Sequence, residues 1–380
     1  MQEIKGISEE IVNDLVERGR KLGQGRPAGT IGFIDQNQVI SGRTKIVDGG
    51  SSGLPYRQIL SPITDKKGLS LLELLNHLPD NAVMVSIKPG KTGIVISTGG
   101  INLFDQPVVK VGVKTGKLAG VGVLYPRAEF FRLATESEKI KLKSLGALTM
   151  EEEKQALRDS TELHLKYLEI SEEIELISAN TEVFTLKEKK KQDWCLKDVP
   201  QVKSINNDFA RKLVEKSISI EQGREVAAMG KITEQGHIIQ AGEIVVGGMG
   251  YIPSRMLASS YQDISDISLR KAYTEIIPAD CMIVHTHPGG TGVMHISDAM
   301  AGPGTWGRSI AAIGHSEKAE IKGVNVISPS FELFQLADEK EQLEQEFFRV
   351  STSEKEVELR KRRYEIAQEF TDLCQEIEIC

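Results

Sequence analysis

Apolar residues recur at helical spacing over 7–20 and again over 205–217. Gly-punctuated, β-branched stretches follow each run and read as strands, over 30–34 and 38–47 in the first case, 226–232 and 237–246 in the second. Next come a second helix (69–78; 266–273), a short apolar strand (82–87; 281–285), a Pro-Gly loop and a last strand (120–125; 323–327). Helices and strands mixed on this scale predict layered α/β units.

The order of elements repeats because the residues do. Positions 15–61 fall on 213–259 without a gap, matching Leu15-Val16-Glu17 with Leu213-Val214-Glu215 and Gln24-Gly25-Arg26 with Gln222-Gly223-Arg224. Gly49-Gly50, Pro55 and Arg57 match Gly247-Gly248, Pro253 and Arg255. Pro89-Gly90 and Thr92-Gly93 then match Pro288-Gly289 and Thr291-Gly292, and Gly120-Val121 matches Gly323-Val324. Collinear order across three blocks indicates a tandem duplication.

After each copy the chain turns Lys/Glu-rich. Thr149-x-x-Glu152 is a capping signature ahead of an apolar-periodic run. Leu359, Ile366 and Leu373 recur every seven residues, with Phe370 and Ile377 completing a seam. Each copy therefore carries a helical arm, which either packs on its own domain or self-associates. The expected organisation is a domain over 1–134, a charged helical linker over 135–200 with a solvated Lys187–Lys191 run, a second domain over 201–337 and an arm over 338–380.

Composition narrows the function. With 40% apolar and 27% charged residues the chain can build real cores, and no stretch approaches the ~20 apolar residues of a spanning helix. The opening Met-Gln-Glu-Ile-Lys does not read as a signal peptide, so a cytoplasmic location is expected. A net charge of −7 argues against a dedicated nucleic-acid binder. Cys195, Cys281, Cys374 and Cys380 lie far apart, which argues against a disulfide framework or a cysteine zinc knuckle.

The dense ligand cluster is His285-Thr-His287, followed by His295 and Asp298. In a strand, i and i+2 share a face, so both imidazoles can enter one site. His295 and Asp298, spaced i, i+3, share one side of a helical turn. Two imidazoles and a carboxylate, with one position left for water, is a catalytic zinc pattern.

These residues resemble the JAMM (JAB/MPN+) metalloproteases, whose signature is an upstream Glu, then His-x-His, seven residues, Ser, two residues and Asp. Here His285, His287 and Asp298 keep the ligand spacing, and Glu225 stands where the family Glu opens the first strand. His295 occupies the family's serine position, with Ser297 as the neighbouring alternative. The resemblance covers about 205–330, and more weakly 7–134. It implies tandem JAB/MPN-like, cytidine-deaminase-like α/β domains with Zn2+ on His285, His287 and Asp298. It further implies Glu225 as general base then acid, and an oxyanion donor at His295 or Ser297; His295 is alternatively an extra ligand.

The first copy has Pro27, Ser86, Lys88 and Gly99 at the positions of Glu225, His285, His287 and Asp298, so it should bind no zinc and serve as structural partner. The resemblance implies an isopeptidase acting at the C-terminal tail of a ubiquitin-like or sulfur-carrier protein, without nucleic acid or membrane. A non-catalytic scaffold and a hydrolase of small molecules or free peptides are the other readings. Gly302–Gly307 with Trp306 reads either as a flap over the site or as core. Gly247–Gly250 lacks nucleotide-loop spacing and reads as a tight turn.

Overall fold

The computed structural model describes residues 3–23, 25–50, 53–64, 68–87, 99–185, 199–220 and 223–380. Lys88, Pro89, Gly90, Thr92, Gly93, the Lys187–Lys191 run and Cys195 lie outside the described residues.

The protein is a mixed α/β structure with two sheets. The first half runs β1 (Gly6–Ser8), α1 (Glu9–Leu22), β2 (Ala28–Ile34), β3 (Val39–Arg43), β4 (Val47–Asp48), α2 (Tyr56–Leu60) and α3 (Leu71–Leu75). It continues with β5 (Ala82–Ile87), α4 (Gly99–Phe104), β6 (Val108–Lys114) and β7 (Lys117–Leu124). Two long helices, α5 (Ala128–Leu145) and α6 (Met150–Glu169), lead to β8 (Glu172–Glu173), β9 (Glu175–Ile177) and β10 (Glu182–Val183).

The second half has β11 (Ser204–Ile205), α7 (Asn207–Ile220), β12 (Val226–Ile232), β13 (His237–Gln240), β14 (Val245–Val246), α8 (Ser254–Tyr261) and α9 (Leu269–Lys271). A π-helical turn, Ala272–Ile276, precedes β15 (Cys281–Pro288) and α10 (Ile296–Ala299). After a second π-helical turn, Met300–Gly304, come β16 (Ile310–His315), β17 (Ile321–Ile327), α11 (Phe331–Phe347), α12 (Ser353–Asp372), β18 (Gln375–Glu376) and β19 (Glu378–Ile379).

The sheets match strand for strand: β8-β7-β6-β5-β2-β3-β1-β9 against β18-β17-β16-β15-β12-β13-β11-β19. Register agrees as well, since Gly29 pairs with Ser86 and its counterpart Ala227 pairs with His285. Several strands differ from expectation. Ile7 and Ile205, expected to open helices, lie in β1 and β11, while β6 and β16 were not anticipated.

Each sheet has an outer face covered by one amphipathic helix. Ile11, Val12 and Leu15 of α1 pack on Val83, Val85 and Val109, and Phe209, Leu213 and Val214 of α7 pack on Met282, Val284 and Ile313. The inner faces share one core that draws on both halves, including Met84, Phe104 and Phe130 with Ile283, Trp306 and Phe334.

The arms are part of this core. Thr149 caps α6 through a capping box with Glu152, as its spacing predicts. Segment 135–200 is more than a helical linker, because β8, β9 and β10 extend the first sheet. Leu359, Ile366 and Phe370 of the heptad seam are buried in the shared core, whereas Ile377 joins the core beneath α7, so the seam is an intramolecular packing face.

Two buried arginines tie the halves together. Arg57 Nε donates to Asp338 on α11 at 2.6 Å, and the Gln58 amide donates to Glu341 at 3.1 Å. Arg255, 1% exposed, repeats the arrangement towards α5. Its Nε donates to Thr135 Oγ1 at 2.9 Å and its Nη1 to Asn102 Oδ1 at 2.7 Å. The Glu138 carboxylate accepts from the Arg255 and Met256 amides at 3.0 Å, supplying acceptors for donors that α8 leaves unpaired at its first turn.

Candidate metal centre

Strand β15 lies between β12 and β16 in the second sheet. Alternation puts His285 and His287 on the face of Cys281 and Ile283, the inner face. Their cross-strand neighbours are small: Ala227 opposite and Ala312 beside His285, and Gly314 beside His287. That leaves room for two imidazoles on adjacent same-face positions.

The turn after His287 folds back over the sheet. The Gly289 amide donates to the His315 carbonyl at 2.8 Å and Gly290 to the His287 carbonyl at 3.1 Å. Gly314 carries the turn directly, since a Cβ there would collide with the backbone of Thr291 and Gly292. Gly292 itself has φ of 82°, a conformation natural to glycine. Gly314→Ala is therefore expected to displace the His287 turn and weaken metal affinity by about 10–100-fold, the range for outer-shell changes. Chelator competition measures it, and wild-type affinity in the variant would contradict the assignment.

Beyond the turn, Met294 is fully buried and α10 begins. The His295 amide donates to Asp298 Oδ2 at 2.9 Å, which fixes the carboxylate at the first turn of α10. His285 Nε2 lies 2.9 Å from His287 Nε2 and 3.6 Å from Asp298 Oδ1, and His287 Nε2 lies 3.7 Å from Asp298 Oδ2. Among the described residues this is the group whose ligand atoms converge to hold a metal ion. Bonds of ~2.0–2.2 Å at tetrahedral angles place ligand atoms roughly 3.3–3.6 Å apart; the two histidine–aspartate spacings lie at the upper end of that range, and the imidazole nitrogens at 2.9 Å must part by a few tenths of an ångström to seat an ion.

The electrostatics suit metal binding. Burial, reinforced by the nearby His285, pushes His287 down to about 4, so its imidazole keeps a free lone pair at neutral pH. Burial acts to raise Asp298, but the hydrogen bond and charge of His285, the His295 amide and His287 outweigh it and hold the carboxylate below its ordinary value. His285 Nδ1 is buried without a hydrogen-bond partner.

Glu225 precedes β12 and lies two residues before Ala227, hence on the His285 face. Its amide donates to the Gly248 carbonyl at 3.0 Å, and Gly247 donates back to its carbonyl at 2.8 Å. Burial raises its carboxyl; the charge of His285 and the Gly250 amide pull it down, and Asp298 pushes it up. Glu225 thus feels two of the three candidate ligands, His285 and Asp298.

His295 and Ser297 are exposed, at the N-cap and in the first turn of α10. His295 is not in the converging group, so the structure gives no support to a fourth protein ligand. Its charge nonetheless acts on His287. Trp306 is core rather than flap: it is 6% exposed and stacks on Tyr273 at 4.6 Å, and Gly302–Gly304 are buried. Gly248 and Tyr251 bridge across a tight turn, as expected for that glycine cluster.

In the first sheet Ser86 stands where His285 stands in the second, and Lys110 beside it donates from Nζ to Ser86 Oγ at 2.8 Å. The chain supplies its own cation there. Sequence reasoning missed the Gly250 amide, the seat at Gly314 and the Met294 anchor. A glycine inside the apolar run of β16 was the available signal.

Comparison with protein-family models, with curated proteins and with solved structures finds no match to this chain.

Proposed function

We propose that the chain is a zinc-dependent metallopeptidase or isopeptidase of the JAMM type, with two JAB/MPN-like units in tandem. The unit over 1–134 is degenerate, the unit over 201–337 carries the chemistry, and 135–200 and 338–380 are arms that stitch them together. One observation carries this reading: the convergence of His285, His287 and Asp298 on the sheet face where Glu225 also stands. Two nitrogens and one oxygen form a donor set that zinc accepts in hydrolytic sites.

Zinc, when bound, supplies a Lewis acid that lowers the pKa of water towards ~7 and polarises a carbonyl. The protein's own part is to place and move protons. Glu225 Oε accepts a proton from the attacking water and returns it to the departing amine, base then acid. Burial raises its carboxyl, which suits a group that must hold that proton. The His295 ring, exposed beside His287, donates a hydrogen bond to the developing oxyanion, with the Ser297 hydroxyl as the neighbouring donor.

The substrate we propose is the tail of a ubiquitin-like or sulfur-carrier protein joined to an amine. The test is cleavage of a panel of ubiquitin-like fusions by the zinc-loaded full chain, with Glu225→Gln as control. Wild type as inert as the variant would overturn the reading. The exposed His295 at the serine position favours the second reading, a metal-binding scaffold without hydrolysis. In that case zinc and partner binding survive Glu225→Gln and no fusion is cut.

A further inference from the structure

Helix α6 has two apolar faces. Ala156, Leu163 and Tyr167 are buried, the last two in the shared core. On the opposite side Met150, Leu157, Leu165 and Leu168 form a stripe, extended by Leu148 ahead of the helix, and these five are 37–76% exposed. Their spacing keeps them within one helical face.

The protein contains its own comparison. Helix α12 occupies the equivalent place in the second half, and its Leu359, Ile366 and Phe370 are buried where Ala156, Leu163 and Tyr167 are. At the stripe positions, however, α12 has Ser351, Ser353, Arg360, Gln368 and Thr371. The fold therefore tolerates polar residues at those five positions, and packing does not require the stripe of α6. Val357 and Tyr364 make a smaller exposed patch on that same face of α12, at the positions of Lys154 and Thr161, so α6 differs in the extent of its apolar face.

The stripe begins beside the hairpin that pairs with Glu225. A Cβ on Gly248 would lie 2.7 Å from Leu145, and one on Gly146 would lie 2.8 Å from Arg224, so the α5–α6 turn abuts the hairpin that supports Glu225. Met249 on that hairpin is 72% exposed and adds an apolar side chain to this end of the molecule's surface.

We infer that the α6 stripe is a docking rail for the folded body of a protein substrate whose extended tail reaches the metal centre; this rests on the hydrolase reading above for the identity of that substrate. The five side chains expose roughly 500 Å², the size of an apolar patch that is often functional. Two copies joined stripe to stripe would bury about 1,000 Å², short of the ~1,200–2,000 Å² of stable interfaces. A transient partner with an apolar patch suits that area. The degenerate half then supplies substrate affinity as well as structural support.

The probes are ubiquitin bearing a C-terminal fluorogenic amide and its isolated tail peptide bearing the same amide. The variant is Leu157→Arg with Leu165→Gln, which installs the residues α12 carries. The expected result is a kcat/KM ratio, folded probe over tail, of at least 10-fold in the zinc-loaded wild type, falling to about one in a variant that keeps its zinc. A ratio unchanged by the variant overturns the docking rail while leaving hydrolysis standing, and so does an equal loss on both probes. If wild type cuts neither probe, the panel of fusions still decides the hydrolase reading, and binding decides the rail. Stripe-dependent binding of ubiquitin to the Glu225→Gln chain then supports it, and no binding overturns it. Self-association in sedimentation that the variant abolishes assigns the stripe to a second copy and overturns it too.

Discussion

Glu225→Gln is expected to keep its zinc and lose about 10²–10⁴-fold in hydrolysis, the usual contribution of a positioned proton carrier. The amide preserves the size of the side chain and still accepts from the Gly250 amide, so the hairpin Gly247–Tyr251 should hold its shape. The acid limb of the pH profile should disappear with the carboxyl. Wild-type activity rises as pH climbs through the Glu225 value, which burial places above that of a free glutamate. Zinc content by mass spectrometry and kcat/KM on an active fusion check both halves of the expectation. Loss of metal along with activity would assign Glu225 a structural role, and full activity would remove it from the chemistry.

The second large effect concerns the junction. Arg255→Ala removes a buried guanidinium whose donors meet Asn102, Thr135 and the Ile264 and Ile267 carbonyls, and it strips the charge that faces Glu138. Breaking a buried charged network of this kind costs about 3–5 kcal/mol. Urea unfolding of the full chain should register that loss. A cost below about 1 kcal/mol would mean that the Arg255 network does not hold the halves together.

The metal ligands were legible because their geometry is local. A two-residue spacing at the end of an apolar strand fixes the faces of His285 and His287, and a helical spacing brings Asp298 round after a glycine turn. The tandem character was legible for the same reason, since Gly, Pro and Arg at turns and caps survive as identities. The rest depends on contacts between distant segments. Arg57 and Arg255 stand in the sequence only as matched positions of the repeat, and their role depends on α11 and α5 crossing over to meet them. The equivalence of α6 and α12 was hidden because Ala156 with Leu359, Leu163 with Ile366, and Tyr167 with Phe370 share only apolarity. The short strands β8, β9, β18 and β19 are too brief to show a period, and their sequences, Glu172–Ile177 and Gln375–Ile379, fall where the pattern reads as charged helical linker and helical arm. Trp306 reads equally as flap or core, and its stacking on Tyr273, distant in sequence, decides for core.

The central claim is that one metal ion sits on His285, His287 and Asp298. Its direct test is metal analysis of the full chain purified from zinc-supplemented growth, beside His287→Ala and Asp298→Ala. The account predicts about one zinc per wild-type chain and none above background in either variant, with unchanged far-ultraviolet dichroism. Wild type without metal, or variants that keep a full equivalent, would contradict it.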